Sequence, residues 1–305
     1  ARAFDLSEEL GLPVLLRTTT RLAHVRGPVR LGELKPIQKA AHFDKNPFHW
    51  VTVPAVSRNL HKLLLERYER AKAVSEKDPD NETVGAGKWG VVANGVAFDY
   101  ASDAVADLGL KDQVSILKLG MSHPLPEQIC IRFLEGKEKV LVVEELEPIN
   151  ENELKALAHE KGMAVAIEGT GTGGFSRLYE YDPGMVRKAV AQYFGVDYSP
   201  PDMVDTSDTP QLPGRPPNLC AGCPHRATYY AVKQVYGQDA IYPTDIGCYT
   251  LGMLPPLSMA DFVICMGSSV SSGCGFSRAT DQKVVSFIGD STFFHSGITG
   301  LVNAV

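Results

Sequence analysis

The sequence predicts an α/β protein, and three observations carry that prediction. From Trp89 to Phe194, short and near-continuously apolar runs alternate with helical patterns, as in a parallel sheet covered on both faces. A second α/β unit starts at Asn218, and its last apolar run, Lys283 to Ile288, leads directly into Gly289-Asp290-Ser291. Between the two, Tyr198 to Pro217 holds six Pro with several Asp and Ser, a composition that resists regular structure and marks a linker.

Taken in order, Ala1 to Leu10 reads as a helix that Gly11 breaks, and Pro13 to Thr19 as a buried strand. Arg26 to Val53 has no clean period and reads as a linker. Val56 to Ser75 is apolar at helical spacing, with Leu60, Leu63, Leu64 and Tyr68, so a long connecting helix is expected. Lys77 to Lys88 is polar and contains Gly, a second boundary. Strands follow at Trp89–Ala93, Val114–Leu119 and Lys139–Glu145, and helices at Val96–Leu108, Pro126–Leu134, Asn150–Lys161 and Asp182–Phe194. In the second unit Pro224 to Val235 fits a helix, Asp261 to Cys265 a strand, Ser269 to Ala279 a helix and Lys283 to Ile288 a strand.

The 305 residues allow about two domains. A net charge of -6 with no basic block gives no reason to expect nucleic acid as a partner. No apolar run is long enough for a membrane helix, no signal-peptide pattern is present, and a cytoplasmic protein is expected. Six Cys in such a chain favour ligation or redox chemistry over structural disulfides.

Gly289-Asp290-Ser291 has the layout of a Mg-diphosphate site. The Gly permits a tight turn at the strand's carboxyl end, the Asp can reach a divalent ion, and the following amides can meet phosphate. An Asp cap on an ordinary turn has the same sequence. Cys220-Ala221-Gly222-Cys223-Pro224-His225 places two thiolates at chelating spacing, and Cys248 adds a third from the next loop. Iron–sulfur, zinc and dithiol redox readings stay open on this pattern. Cys265 and Cys274 are weaker candidates for a fourth ligand. Cys265 is expected in a buried strand, and Cys130 in the core. Gly267, Ser268 and Ser269 sit where a strand runs into a helix and can meet a phosphate or cofactor ring, or simply cap the helix. Gly169 to Gly174 is Gly-rich but lacks the Lys-Ser/Thr of a P-loop, so a flexible turn is expected. His24, His123 and His295 fall at strand or turn ends and read individually as structural.

Together and in this order, the motifs resemble the α subunits of indolepyruvate:ferredoxin oxidoreductases, in the thiamine-dependent 2-oxoacid:ferredoxin oxidoreductase superfamily. The most specific stretches are Leu219 to Arg226, Tyr242 to Gly252 and Gly289 to Gly297. The resemblance implies part of a thiamine-diphosphate-binding fold plus a doubly wound domain like the C-terminal domain of transketolase. Residues 1–30 become the end of a pyrimidine-side domain, 31–86 a linker and connecting helix, 87–196 the transketolase-C-terminal-like domain, 197–217 a linker and 218–305 the first part of the diphosphate-binding domain.

The activity it implies is oxidative decarboxylation of an aryl pyruvate such as indolepyruvate. The acyl group passes to coenzyme A and the electrons to ferredoxin, with a β subunit as partner. Asp290 becomes a Mg²⁺ ligand, Gly289 and Ser291 the diphosphate turn, and Gly267, Ser268 and Ser269 cofactor neighbours. Cys220, Cys223 and Cys248 become ligands of a [4Fe-4S] cluster, and His295 is expected to face the thiazolium. The fourth thiolate, the second Mg²⁺ ligand and the activating acid are expected outside these residues. Both ends are accordingly expected to be cut, and the chain alone to be inactive. Two rivals remain: a non-oxidative thiamine-dependent decarboxylase, in which the three cysteines have no role, and a zinc-stabilised non-catalytic module, in which Asp290 is only a cap.

Overall fold

The computed structural model describes residues 2–33, 42–172, 174–200, 210 and 213–305. It divides into two compact units, Ala1–Val204 and Asp205–Val305. No helix among the described residues is long and apolar enough to cross a membrane.

The first unit opens with α1 (Arg2–Leu10), α2 (Thr20–His24), α3 (Pro47–Trp50) and α4 (Pro54–Glu76). The buried strand expected at Pro13–Thr19 is not formed. The segment is irregular, pairs with no strand among the described residues, and leaves Leu15 and Leu16 exposed. The linker expected at Arg26–Val53 carries the short α3, and its residues 34–41 lie outside the described set. The long helix is present, with Pro at its first turn where no intrahelical donor is lost. It buries only Val56, Ala71 and Ser75, and Leu64 stays exposed. Polar contacts hold it: Ser75 Oγ donates to Pro124 O at 2.7 Å, and Arg67 and Arg70 donate to Gly11 O and Glu9 O, both at 2.8 Å.

The sheet follows, with β1 (Glu82–Val84), β2 (Trp89–Asn94), β3 (Val114–Leu119), β4 (Lys139–Val143) and β5 (Ala166–Glu168) in the order β1-β3-β2-β4-β5. All neighbours are parallel except β1, which runs antiparallel to β3. Its helices are α5 (Gly95–Asp107), α6 (Glu127–Leu134), α7 (Ile149–Glu160) and α8 (Pro183–Phe194). Alternate strand residues face opposite layers. Val91, Ile116 and Leu141 pack with α5 and α8, while Val92, Leu117 and Val142 pack with α6 and α7. This is the doubly wound α/β arrangement expected for the region. The edge strands β1 and β5 were not expected, because three polar or mixed residues give no period to read.

Small residues set the layer spacing. A Cβ on Gly90 would lie 2.9 Å from Val140 and 3.0 Å from the Phe133 ring. Cys130 is fully buried, as expected of a core thiol, and burial pushes its pKa to about 12.

At the carboxyl end of β4, buried Glu144 accepts Asn150 N–H at 2.9 Å, Asn150 Nδ2 at 3.0 Å and Glu151 N–H at 2.8 Å. It thereby serves the amino end of α7. Burial pushes its carboxyl pKa up, against the pull of those donors. The Gly-rich turn donates Gly171 N–H to the buried Glu151 carboxylate at 2.6 Å, so the anion against this loop is the chain's own; Gly173 lies outside the described residues. Glu144→Gln turns an amide NH2 toward groups that need an acceptor. It is expected to cost about 1–3 kcal/mol, read as a lower urea midpoint at unchanged slope. An unmoved midpoint would remove Glu144 from this role.

The second unit holds α9 (Pro224–Tyr236), a 3₁₀ helix (Cys248–Met253), α10 (Ser268–Ala279), α11 (Asp290–Thr292), a π turn (Phe293–Gly297) and α12 (Ile298–Ala304). Three extended segments run parallel between them, joined by isolated bridges at Ile241↔Val284 and Pro243↔Phe262. The two segments expected as strands are the outer ones. The central segment, Ile241 to Asp245, was not expected, because Pro243 interrupts a very short apolar run. Cys265, expected in the core, is exposed, since the segment before it is an edge held by the single bridge at Phe262. Much of the linker expected at 198–217 lies outside the described residues.

Candidate functional site

The three parallel segments of the second unit end at Asp245, at Cys265-Met266-Gly267 and at Gly289-Asp290. Carboxyl ends of parallel strands are where α/β proteins bind ligands. Each end here is built differently.

Asp245 is fully buried. Its carboxylate accepts Gly267 N–H at 2.9 and 3.0 Å, Ser269 N–H at 3.3 Å, Ser269 Oγ at 2.8 Å and Ile246 N–H at 2.9 Å. It caps α10 from a neighbouring strand end. Neither serine caps that helix itself: Ser268 Oγ accepts Cys265 N–H at 3.1 Å, and Ser269 Oγ donates to Asp245. Of the expected cofactor neighbours, Gly267 and Ser269 therefore spend their amides on Asp245. Gly267 has φ +86, and a Cβ there would meet Ser296 Oγ at 2.6 Å, so both conformation and space require glycine.

The third end opens on space. Phe287 N–H makes the last ladder bond, to Pro243 O at 2.9 Å, and Phe293 N–H then bonds Gly289 O at 2.8 Å as the chain turns helical. Asp290 is exposed, and its Oδ1 accepts Ser291 N–H at 2.8 Å. Apart from Gly289 itself and its two chain neighbours, no atom of the described residues lies within 4 Å of where a Gly289 Cβ would stand. Gly289 and Asp290 line an open cavity of about 520 Å³ together with Phe293, Phe294, His225 and Tyr249. A hard oxygen donor, bare backbone and room beside it fit a metal-bound diphosphate.

Cys220 and Cys223 share a turn, with Cys223 N–H bonded to Cys220 O at 3.2 Å and Gly222 at φ +71. Cys220 and Cys248 are exposed and Cys223 is half-buried. Cys248 opens the 3₁₀ helix behind Gly247, whose φ of +134 is open to glycine alone. Thiolate is a ligand type that suits iron or zinc. Among the described residues, no group of three or more His, Cys, Asp or Glu is arranged to hold a metal ion.

A set of rings ties the cysteine turn to the cavity. Cys223 Sγ lies 3.1 Å from His225 Nδ1. The His225 ring meets Tyr249 edge-on at 4.3 Å between centroids. Tyr249 stacks on Phe287 at 5.6 Å and meets Tyr229 edge-on at 5.5 Å. The fully buried Tyr229 hydroxyl donates to Tyr249 O, and burial pushes its pKa to about 12, so it stays a donor. Gly252 makes room, since a Cβ there would sit 2.3 Å from the Tyr229 ring.

The cavity thus gathers Gly289 and Asp290 of the sequence-predicted residues. Ser291 is exposed beside them, and His295 is exposed and not among the lining residues. Sequence reading missed His225, Tyr249 and Asp245 as site builders, although His225 belongs to the Cys220–His225 motif.

Residues 245–305 match the family model of the thiamine pyrophosphate enzyme C-terminal TPP-binding domain. Among curated proteins, the chain is 46% identical to an indolepyruvate oxidoreductase subunit IorA of Methanothermobacter marburgensis over 312 residues, which is 99% of this chain and 50% of that protein. It is 40% identical to the IorA subunit of Thermococcus kodakarensis over 329 residues, again 99% of this chain and 50% of that protein. Among solved structures, a 2-oxoglutarate:ferredoxin oxidoreductase from Magnetococcus marinus superposes with a TM-score of 0.32 at 17% identity, over 61% of this chain and 29% of that one. The chain spans about half the length of the curated relatives it matches, and along essentially all of its own length it belongs to the indolepyruvate oxidoreductase subunit IorA family.

Proposed function

We propose that this chain is the part of an oxidative 2-oxoacid decarboxylase that holds the cofactor's metal-diphosphate end and relays its electrons. The observation that carries the reading is one cavity lined both by the Gly289-Asp290 strand end and by His225, whose ring reaches the Cys223 sulfur. Thiamine diphosphate, when bound, supplies the carbanion that makes loss of CO2 from a 2-oxoacid feasible. Asp290 would hold Mg²⁺ and thereby the diphosphate, with Gly289 and Ser291 forming the turn. Cys220, Cys223 and Cys248 would hold a [4Fe-4S] cluster, completed by a fourth ligand. Phe293, Phe294 and Tyr249 would keep the cavity dry on its apolar sides. On this reading the substrate is an aryl pyruvate of the indolepyruvate kind, the acyl acceptor coenzyme A, the electron acceptor ferredoxin, and the partner a β subunit.

The test is anaerobic iron, zinc and sulfide analysis, with electron paramagnetic resonance, on the full-length subunit and its partner. Iron with sulfide, and a [4Fe-4S] signal, support the reading. Zinc alone favours a non-catalytic module, and absence of metal at these cysteines with intact thiamine diphosphate binding favours a non-oxidative decarboxylase. Cys223→Ser is expected to alter or abolish the cluster signal and to slow electron delivery to ferredoxin more than release of CO2. An unchanged low-temperature spectrum in that variant would reject ligation by Cys223.

A further inference from the structure

We propose that the first unit binds a small organic acid, one carboxylate on an apolar body of about a single ring, in the cavity between the β1–β3 edge of the sheet and α6. The cavity measures about 310 Å³, at the small end of ligand pockets, and shares no lining residue with the one beside Gly289 and Asp290. The inference therefore stands apart from the cofactor reading. Ile129, Arg132 and Phe133 reach the cavity from one face of α6, being three and four residues apart. Thr83 lines it from β1, and Ser115 and Leu117 line it from β3. Glycine shapes the wall between them. Gly85 has φ +80, and a Cβ on Gly87 would stand 1.9 Å from Gln113 O, so bare backbone is what lets the β1–β2 connection lie on the start of β3.

The lining sets the charge of the ligand. Arg132 and Lys137 bring two cations, and neither forms an ion pair among the described residues. Lys137 is half-buried, donates from Nζ to Gly87 O at 2.7 Å, and holds Nζ 5.2 Å from the centroid of the Phe133 ring. A neutral carbonyl takes one of its N–H bonds and leaves the charge uncompensated, and burial accordingly pushes the ammonium pKa down. An anion in the cavity compensates both cations. Glu82 is the one acid among the described lining residues, so two positive charges face one negative. That balance suits a monoanion and opposes the several charges of a nucleotide. Guanidinium and carboxylate pair fork to fork, which favours a carboxylate among monoanions. Ile129 and Phe133, backed by Leu117, give the rest of the molecule an apolar wall.

The experiment is ligand-observed fluorine NMR on the full-length protein with its partner. The probe is para-fluorobenzoate, and para-fluorobenzamide is its neutral isostere. Wild type is expected to bind the benzoate more tightly than the amide. Arg132→Met and Lys137→Met are each expected to weaken benzoate binding about tenfold or more, the loss of one charge-assisted hydrogen bond, and to leave the amide's affinity unchanged. Arg132 is exposed, so its variant keeps the fold and decides the matter even where Lys137→Met melts early. No binding of the benzoate, or equal binding of benzoate and amide, overturns the proposal. Binding that both variants retain places the acid elsewhere and also overturns it, as does displacement of the probe by thiamine diphosphate. Inorganic phosphate that displaces the probe at lower concentration than unlabelled benzoate overturns the carboxylate assignment.

Discussion

Asp245→Ala is expected to destabilise the second unit by about 3 kcal/mol, because buried donors are left without an acceptor. The carboxylate takes the amides of Ile246, Gly267 and Ser269 and the hydroxyl of Ser269, and it is fully buried. Water cannot replace it without opening the junction between the central segment and α10. Asp245→Asn keeps one acceptor oxygen and turns an NH2 group toward the remaining donors, so its loss is expected to be smaller, about 1–2 kcal/mol. Thermal unfolding should rank wild type, Asn and Ala in that order, with the Ala variant lower by roughly 10 °C. The same variant should lose cofactor binding, since Gly267 is pinned against Ser296 by the same carboxylate. Wild-type stability in Asp245→Ala would show that α10 is held by something else.

Glu144, Asp245 and Asp290 each stand at the carboxyl end of a strand or extended segment. Local sequence presents them alike, as an acidic residue closing an apolar run. Their surroundings separate them. Glu144 and Asp245 are buried, each facing the first amides of a later helix, five or more residues on. Asp290 is exposed beside a cavity. The helices and strands of the first unit were legible because apolar period depends on neighbours along the chain. The buried strand expected at Pro13–Thr19 failed because a strand also needs a partner, and pairing is not a local property. The edge strands β1 and β5 and the central segment at Ile241–Asp245 escaped for a related reason. Each is short, and each is ordered by the strand beside it. In the site, the Gly289-Asp290 turn and the cysteine spacing were legible as motifs. The role of His225 was not, since its ring matters through Tyr249, more than twenty residues away in sequence.

Asp290→Ala is expected to weaken Mg-dependent binding of thiamine diphosphate to the full-length protein by about 100-fold or more, equivalent to about 2.7 kcal/mol. Mg²⁺ takes few protein ligands and keeps much of its shell as water and phosphate, so removing one carboxylate removes a large share of what ties the diphosphate to the chain. The substitution should leave folding almost untouched. Asp290 is exposed, and the bond it makes among the described residues is the local one to Ser291 N–H. The contrast with Asp245 makes the experiment decisive: loss of Asp245 lowers stability and binding together, whereas loss of Asp290 lowers affinity alone. Calorimetric titration of thiamine diphosphate with and without Mg²⁺, beside a melting curve, reads both. Loss of the Mg²⁺ dependence at an unchanged melting temperature places the metal on Asp290. Equal affinity in wild type and variant would reduce Asp290 to the cap of an ordinary turn. Asp290→Asn adds a graded point, since it keeps an oxygen and loses the charge, and a hard dication responds mainly to charge. It should therefore fall closer to Ala than to wild type.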